Sequence, residues 1–354
     1  MGVRVVFGLL MLLSLGATAA LLTEAFDLLG GDSTDDAVDE GVTVTPETAN
    51  AILDEDQIES LRGQLLEDFA LPETQALLNA GIEVDPDYGL EEIEGTPNDD
   101  LIQTQPETVV TFGEAGDDTI VGTDSDYENI FGDEGDDVIF GEGGEDLLIG
   151  GPGDDLIAGG DGDDELYGNE GTDTLFGGAG DDSIGDAIAV TGDDPVVPGL
   201  EGINAGAGDD FVRIEDGINL VELGEGEDRL AVLNDAGVPG DHPVSVVTDF
   251  NPEEDALVLG VYDPDADTLD ENALEISYQL RAIETSLGPA TLVVPAVDDA
   301  DLAGDLENAN VSLAILVGLT PEDLAEADIV SVLIDDDHAP FAEGGFGAIA
   351  RGAA

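Results

Sequence analysis

The sequence predicts a mainly β protein: a solenoid of nine-residue units, preceded by a short helical segment and followed by a small C-terminal β domain. Three observations carry this reading. From Gly113 a nine-residue unit recurs with glycine, aspartate and an aliphatic residue at fixed places. Apolar residues in 51–82 recur at helical spacing. After Ala231 the glycine repeat stops and short β-type runs take over.

The chain opens on an apolar stretch. Val5 to Leu22 holds 18 residues without a charge and comes after Arg4. That length suffices for a marginal membrane span, and Ala17-Thr18-Ala19 supplies a small-residue cleavage pattern. Residues 1–24 are therefore read as a signal peptide or an N-terminal anchor in contact with the membrane, and either sends the rest of the chain out of the cytoplasm. Residues 25–50 are acidic and turn-rich, the composition of a solvated linker. In 51–82, Ile52, Ile58, Leu61, Leu65 and Leu66 keep helical spacing until Pro72 starts a second short helix, which Gly81 ends. That pattern predicts an acidic helical hairpin.

The solenoid is predicted over 95–232, with clear repeats at 113–185. Written from their first residue, the units are GEAGDDTIV (113), GTDSDYENIF (122), GDEGDDVIF (132), GEGGEDLLI (141), GGPGDDLIA (150), GGDGDDELY (159), GNEGTDTLF (168) and GGAGDDSIG (177). Position four is Gly116, Gly135, Gly144, Gly153, Gly162, Gly171 or Gly180. Position six is Asp118, Asp137, Asp146, Asp155, Asp164, Asp173 or Asp182. Position eight is aliphatic throughout, from Ile120 to Ile184. The unit at 122 carries one extra residue and lacks both the glycine at four and the aspartate at six. Degenerate copies at 95–112 and 205–231 contribute Asp100, Asp210 and Asp228, and 186–204 interrupts the pattern.

Glycines at positions one and four allow positive φ and close backbone approach, so the first six residues can form a tight turn. The last three then make a short strand with position eight pointing inward and positions seven and nine outward. One unit buries one aliphatic side chain and cannot fold alone. Stacked units can, because a ladder of strands about 4.8 Å apart lines those side chains into one narrow core.

Charge opposes that stacking. The chain has 354 residues, 6 arginines, no lysine and 85 acidic residues, for a net charge of −79. It has no basic stripe for nucleic acid or for an anionic membrane surface. Zero cysteines exclude disulfides and thiolate sites. With only His242 and His338, an HExxH zinc motif cannot be assembled, and no GxSxG elbow occurs. Two like charges 4 Å apart repel by about 1 kcal/mol in water and ~4 kcal/mol at an effective dielectric of 20. A hard divalent cation between turns reverses the sign. Ca²⁺ takes six to eight oxygens in flexible geometry, which carboxylates and turn carbonyls supply, whereas Mg²⁺ demands a stricter octahedron.

GGxGxD followed by an aliphatic residue two places on resembles the repeats-in-toxin (RTX), hemolysin-type calcium-binding family, a nonapeptide that is itself a standard example of a β-helix repeat. The resemblance implies a right-handed parallel β-roll with two units per turn. It also implies Ca²⁺ between turns, held by the position-six aspartates and by carbonyls of the glycine loops (Gly116, Gly135, Gly144, Gly153, Gly162, Gly171, Gly180). By position, Asp118, Asp137, Asp155 and Asp173 would line one side, with Asp100 stacking on Asp118. Asp146, Asp164 and Asp182 would line the other, and Asp210 and Asp228 could share a site. About five to seven calcium sites are implied, of the affinity expected for extracellular modules.

Beyond the repeats, residues 240–340 are read as a β-rich capping domain. Its runs are Val244–Val247, Ala256 to Val261, Leu274 to Leu280, Thr291 to Val294, Val311 to Val317 and Ile329 to Ile334, and the turn signals between them suggest a small antiparallel sheet or sandwich. The segment 246–260 is similar to the cap sequence that often comes after repeats in the family. Asp263, Asp265 and Asp267 begin like an EF-hand loop, but Thr268 replaces the required glycine and Leu274 the bidentate glutamate, so the segment reads as a turn. Residues 341–354 form a Gly/Ala-rich tail. Relatives often leave the cell through type I secretion machinery. Two functional classes are open to such a chain. One is a non-catalytic, exported calcium-binding protein whose roll is a scaffold or an adhesive module for a surface or matrix partner. The other is a secreted polysaccharide-modifying or other hydrolytic enzyme with the roll as an accessory.

Overall fold

The computed structural model describes residues 83–85, 91–105, 108–124, 127–185, 202–214, 217–233, 244–262, 275–285, 287–295 and 312–334. The readings for 1–24, 25–50, 51–82, 263–267, 341–354, His242, His338 and most of 186–204 lie outside these residues. Every regular element among the described residues is a strand, and no helix there is long and apolar enough to cross a membrane.

Ahead of the clear repeats run β1 (Glu83–Asp85), β2 (Glu91–Glu94), β3 (Leu101–Gln103) and β4 (Thr108–Phe112). The repeats supply β5 (Thr119–Thr123), β6 (Asn129–Phe131), β7 (Val138–Gly143), β8 (Leu147–Pro152), β9 (Leu156–Asp161), β10 (Glu165–Glu170), β11 (Thr174–Ala179) and β12 (Ser183–Gly185). Next come β13 (Gly202–Ala207), β14 (Phe211–Ile214), β15 (Ile218–Glu225), β16 (Arg229–Val232), β17 (Val244–Val247) and β18 (Ala256–Tyr262). The last are β19 (Glu275–Ile276), β20 (Tyr278–Thr285), β21 (Gly288–Pro295), β22 (Leu313–Val317) and β23 (Asp328–Ile334).

From β2 to β18 each strand joins the sheet its predecessor left. The first sheet runs β1-β2-β4-β6-β8-β10-β12-β14-β16-β18-β23-β19, and the second runs β20-β21-β22-β17-β15-β13-β11-β9-β7-β5-β3. Position eight sets the register. Ile130, Leu148, Leu166 and Ile184 lie directly over one another in the first sheet. Ile120, Ile139, Ile157 and Leu175 do so in the second. All are buried in one continuous core that extends from Ile93 to Ile329. Across the interruption the ladder keeps step: Leu175 pairs with Ile203 and Ile184 with Val212, each 28 residues on.

The C-terminal runs form strands where expected, but their direction differs. Strands β17 and β22 extend the second sheet in parallel, and β18 and β23 extend the first. Among the described residues, antiparallel pairing is confined to the ends, at β1–β2, β19–β23 and β20–β21–β22. The cause is the core itself. Val247 stacks on Val221 and Leu257 on Leu230, so the same inward aliphatic column continues past the last glycine loop. The parallel ladder is therefore longer than 95–232 at both ends.

Candidate metal centre

Strands β7 to β11 run on through positions one to three of the next unit, and the backbone of positions one to six departs from the expectation at one place. Positive φ occurs at positions two and four, and no position-one glycine adopts it. At position four, Gly116 to Gly180 span φ 122 to 151°. At position two the backbone takes either of two forms. Glu114, Asp133, Glu142 and Asn169 sit at φ 70–78°, whereas Gly151, Gly160 and Gly178 sit at φ 119–125°. Position one needs glycine for space: a Cβ on Gly150 would collide with Oδ2 of Asp155, and one on Gly132 with Oδ2 of Asp137.

The position-six residues form two rows. Along the loops that enter the second sheet, the amide of Asp100 donates to Oδ1 of Asp118 at 2.7 Å. Asp118 then donates to Asp137, Asp137 to Asp155 and Asp155 to Asp173, each at 2.8 Å. Along the loops that enter the first sheet, Asp146 donates to Asp164, Asp164 to Asp182 and Asp182 to Asp210, each at 2.8 Å. Asp210 donates to Asp228 at 3.0 Å. The sides match those assigned from sequence, and Asp100, Asp210 and Asp228 fall into line.

One oxygen of each carboxylate is thus spent on holding the stack. The other is not. In Asp118, Asp137, Asp146, Asp155, Asp164, Asp182, Asp210 and Asp228, Oδ2 is buried and accepts no hydrogen bond. In Asp118 to Asp182 it points back over the position-one glycine of its own loop, into a cradle that a Cβ would fill. Burial drives these carboxyls far above the usual range: Asp155 to about 9, Asp118 and Asp182 to about 8. Asp137, Asp146 and Asp228 rise to about 7, and Asp164 and Asp210 to about 6. Desolvation is the largest cause in every case. The amide at Oδ1 pulls each value down, and neighbouring carboxylates push it further up.

Two residues at the row ends differ. Oδ2 of Asp100 accepts the Thr96 amide at 2.5 Å. Asp255, unforeseen from sequence, takes position six ahead of β18: Oδ1 accepts the Asp228 amide at 3.3 Å, and Oδ2 the Asn251 amide at 2.7 Å. Glu128 was also missed. It is the buried position-six residue of the longer unit, and its amide donates to Asp146. Oε1 accepts the Thr104 hydroxyl at 2.6 Å and Oε2 the Thr123 amide at 2.7 Å. Counting back from Ile130 instead of forward from Gly122 finds it.

The donor set fits a hard cation. Orphaned carboxylate oxygens face cradles ringed by backbone, with no nitrogen or sulfur ligand near. Among the described residues no three acidic or histidine side chains gather as a metal cluster, so a bound ion would need loop carbonyls beside the carboxylates. The profile of the RTX calcium-binding nonapeptide repeat matches residues 112–126, 128–157 and 149–184, in four copies. Residues 112–184 are an RTX calcium-binding repeat array. Ca²⁺ is accordingly the cation this RTX array binds. No curated protein matches the chain.

Proposed function

We propose that this is a non-catalytic, exported calcium-binding RTX protein whose roll is held apart in calcium-poor cytoplasm and folds outside the cell, where it serves as a scaffold or adhesive surface module. The observation that carries the reading is the set of eight buried aspartates with an unpartnered Oδ2. Without a cation, folding must either strip water from those charges or protonate them, and both disfavour the roll near neutral pH.

In this reading the ligands are Asp100, Asp118, Asp137, Asp155 and Asp173 on one side, and Asp146, Asp164, Asp182, Asp210 and Asp228 on the other. The carbonyls of Gly116, Gly135, Gly144, Gly153, Gly162, Gly171 and Gly180 complete the shells. A cation between carboxylates inverts the local pKa logic and keeps them ionised. At ten times Kd each site adds about 1.4 kcal/mol to folding, so five or six together add roughly 7–8 kcal/mol, comparable to the stability of a whole domain. The apolar 5–22 segment supports export or anchoring, and family members commonly leave by type I secretion.

Far-UV circular dichroism of the full chain, titrated with Ca²⁺ and then EGTA, tests the calcium-driven fold. The β signal should grow with Ca²⁺ and fall with EGTA; a β signal indifferent to both would overturn the reading. A hydrolase and polysaccharide-lyase screen in calcium tests the non-catalytic part, and reproducible turnover would replace it with the accessory-module reading.

A further inference from the structure

The two sheets bury their outer faces unequally. Outward residues of the first sheet, such as Phe131, Ile149 and Tyr167, are half-buried. Their counterparts on the second sheet are shut from solvent: Val121, Val138, Phe140, Leu156, Ala158 and Phe176 are all 8% exposed or less. These side chains occupy positions seven and nine, so they point away from the core that holds position eight. Among the described strands, the main partners of β5, β7, β9 and β11 are their sheet neighbours and the facing sheet. An apolar face of four strands thus needs a cover from elsewhere in the chain.

We propose that the amphipathic segment 51–82 docks on this outer face of the second sheet, so that formation of the roll also seats the N-terminal hairpin. The inference rests on the calcium-driven fold above, because the face exists only when the strands are stacked. Length and position both favour this occupant. Helical spacing over 51–71 would put Ile58, Leu61, Leu65 and Phe69 on one face, with Arg62 among them. Such a helix is about 30 Å long, and the three strand spacings from β5 to β11 cover about 14 Å, so it spans the face with length to spare. The segment ends next to β1, at the end of the roll where this face begins. Acidic residues such as Asp56, Glu59 and Glu67 leave it a solvated opposite side. The apolar 5–22 stretch has no such polar side to present to water.

Trypsin provides the test. With no lysine, the chain can be cut only after Arg4, Arg62, Arg213, Arg229, Arg281 and Arg351. Arg62 reports on the hairpin, while Arg213 in β14 and Arg229 in β16 report on the roll. In millimolar Ca²⁺, cleavage at all three should slow by about tenfold or more against EGTA, since proteolysis tracks the open population. Leu61→Asp combined with Leu65→Asp, which leaves the roll untouched, should restore cutting at Arg62 alone. Phe140→Asp should do the same from the other side of the contact. Rapid cutting at Arg62 in calcium, with Arg213 and Arg229 protected, would overturn the docking and leave the calcium-driven fold standing. Rapid cutting at all three in calcium would defeat both. If Phe140→Asp exposed Arg62 while the leucine pair did not, another segment would be the cover and the assignment would fall.

Discussion

The amide of Asp182 donates to Oδ1 of Asp210 at 2.8 Å, although 28 residues separate them where the links on either side span 18. The interruption at 186–204 therefore leaves the row intact, and the row continues past the last residue matched by the RTX profile.

Asp210 should accordingly be as important as any aspartate inside the matched segment. Asp210→Asn preserves an acceptor for the Asp182 amide but removes the charge between two loop spaces. Isothermal titration calorimetry should show fewer bound ions. The calcium-saturated roll should lose about 3 kcal/mol, the linkage term of two sites at ten times Kd. Asp209→Asn is the control. Asp209 is exposed and hydrogen-bonded only along the outside of the loop, so its loss should leave stoichiometry unchanged.

Neighbouring glycines in one loop should respond very differently to a side chain. A Cβ on Gly153 would fall on the carbonyl oxygen of Gly135, in a loop with φ 151°. Gly153→Asn should destabilise by about 3 kcal/mol or more, from left-handed strain plus overpacking. Gly151 stands at position two, where Asn169 and Asp133 already adopt φ 70–75°. A Cβ on Gly151 also approaches a carbonyl oxygen, that of Asp133, but relaxation to that form relieves it and Asn tolerates the left-handed region, so Gly151→Asn should cost less than Gly153→Asn, about 1–2 kcal/mol. Urea midpoints in saturating calcium would separate the two.

Glu128 makes a third test. Its carboxylate is occupied by Thr104 and Thr123, so it joins two turns through protein donors. Thr104→Val leaves a buried carboxylate oxygen without its donor and should cost about 1–3 kcal/mol. Calcium stoichiometry should stay as in the parent chain. A lost ion would instead place Glu128 among the ligands.

These cases also mark how far the sequence could be read. Position eight and position six were legible because both are fixed by a side chain: an aliphatic that must face inward, and a carboxylate that must face its neighbour. Asp210 and Asp228 were therefore found beyond the clear repeats. Three things were not legible. The left-handed backbone at position two is hidden by residues as different as Glu114 and Gly160. Glu128 is hidden by an inserted residue that shifts a forward count. The parallel direction of β17, β18, β22 and β23 is hidden because alternating apolar residues specify a buried face, and strand direction depends on which column of the core they extend.

The raised carboxyls give a pH dependence opposite to that of most folded proteins. Burial raises Asp118, Asp137, Asp146, Asp155, Asp164, Asp182, Asp210 and Asp228 to about 6 to 9 in the metal-free roll, from 3.8 for an ordinary carboxyl. Between those values the folded form holds more protons, so its stability falls as pH rises. The contribution is fully present below about pH 4 and is lost as pH climbs through 6 to 9. In EGTA, the β signal at pH 5, above the isoelectric point near 4.1, should exceed that at pH 8. In calcium the order reverses, because protons compete with the cation for the same Oδ2 atoms and acidification should raise the calcium midpoint. Circular dichroism at pH 5 and 8, with and without EGTA, checks both signs. Equal signals at both pH values in EGTA would mean that the carboxylates do not resist burial, and the need for a cation would lose its physical basis.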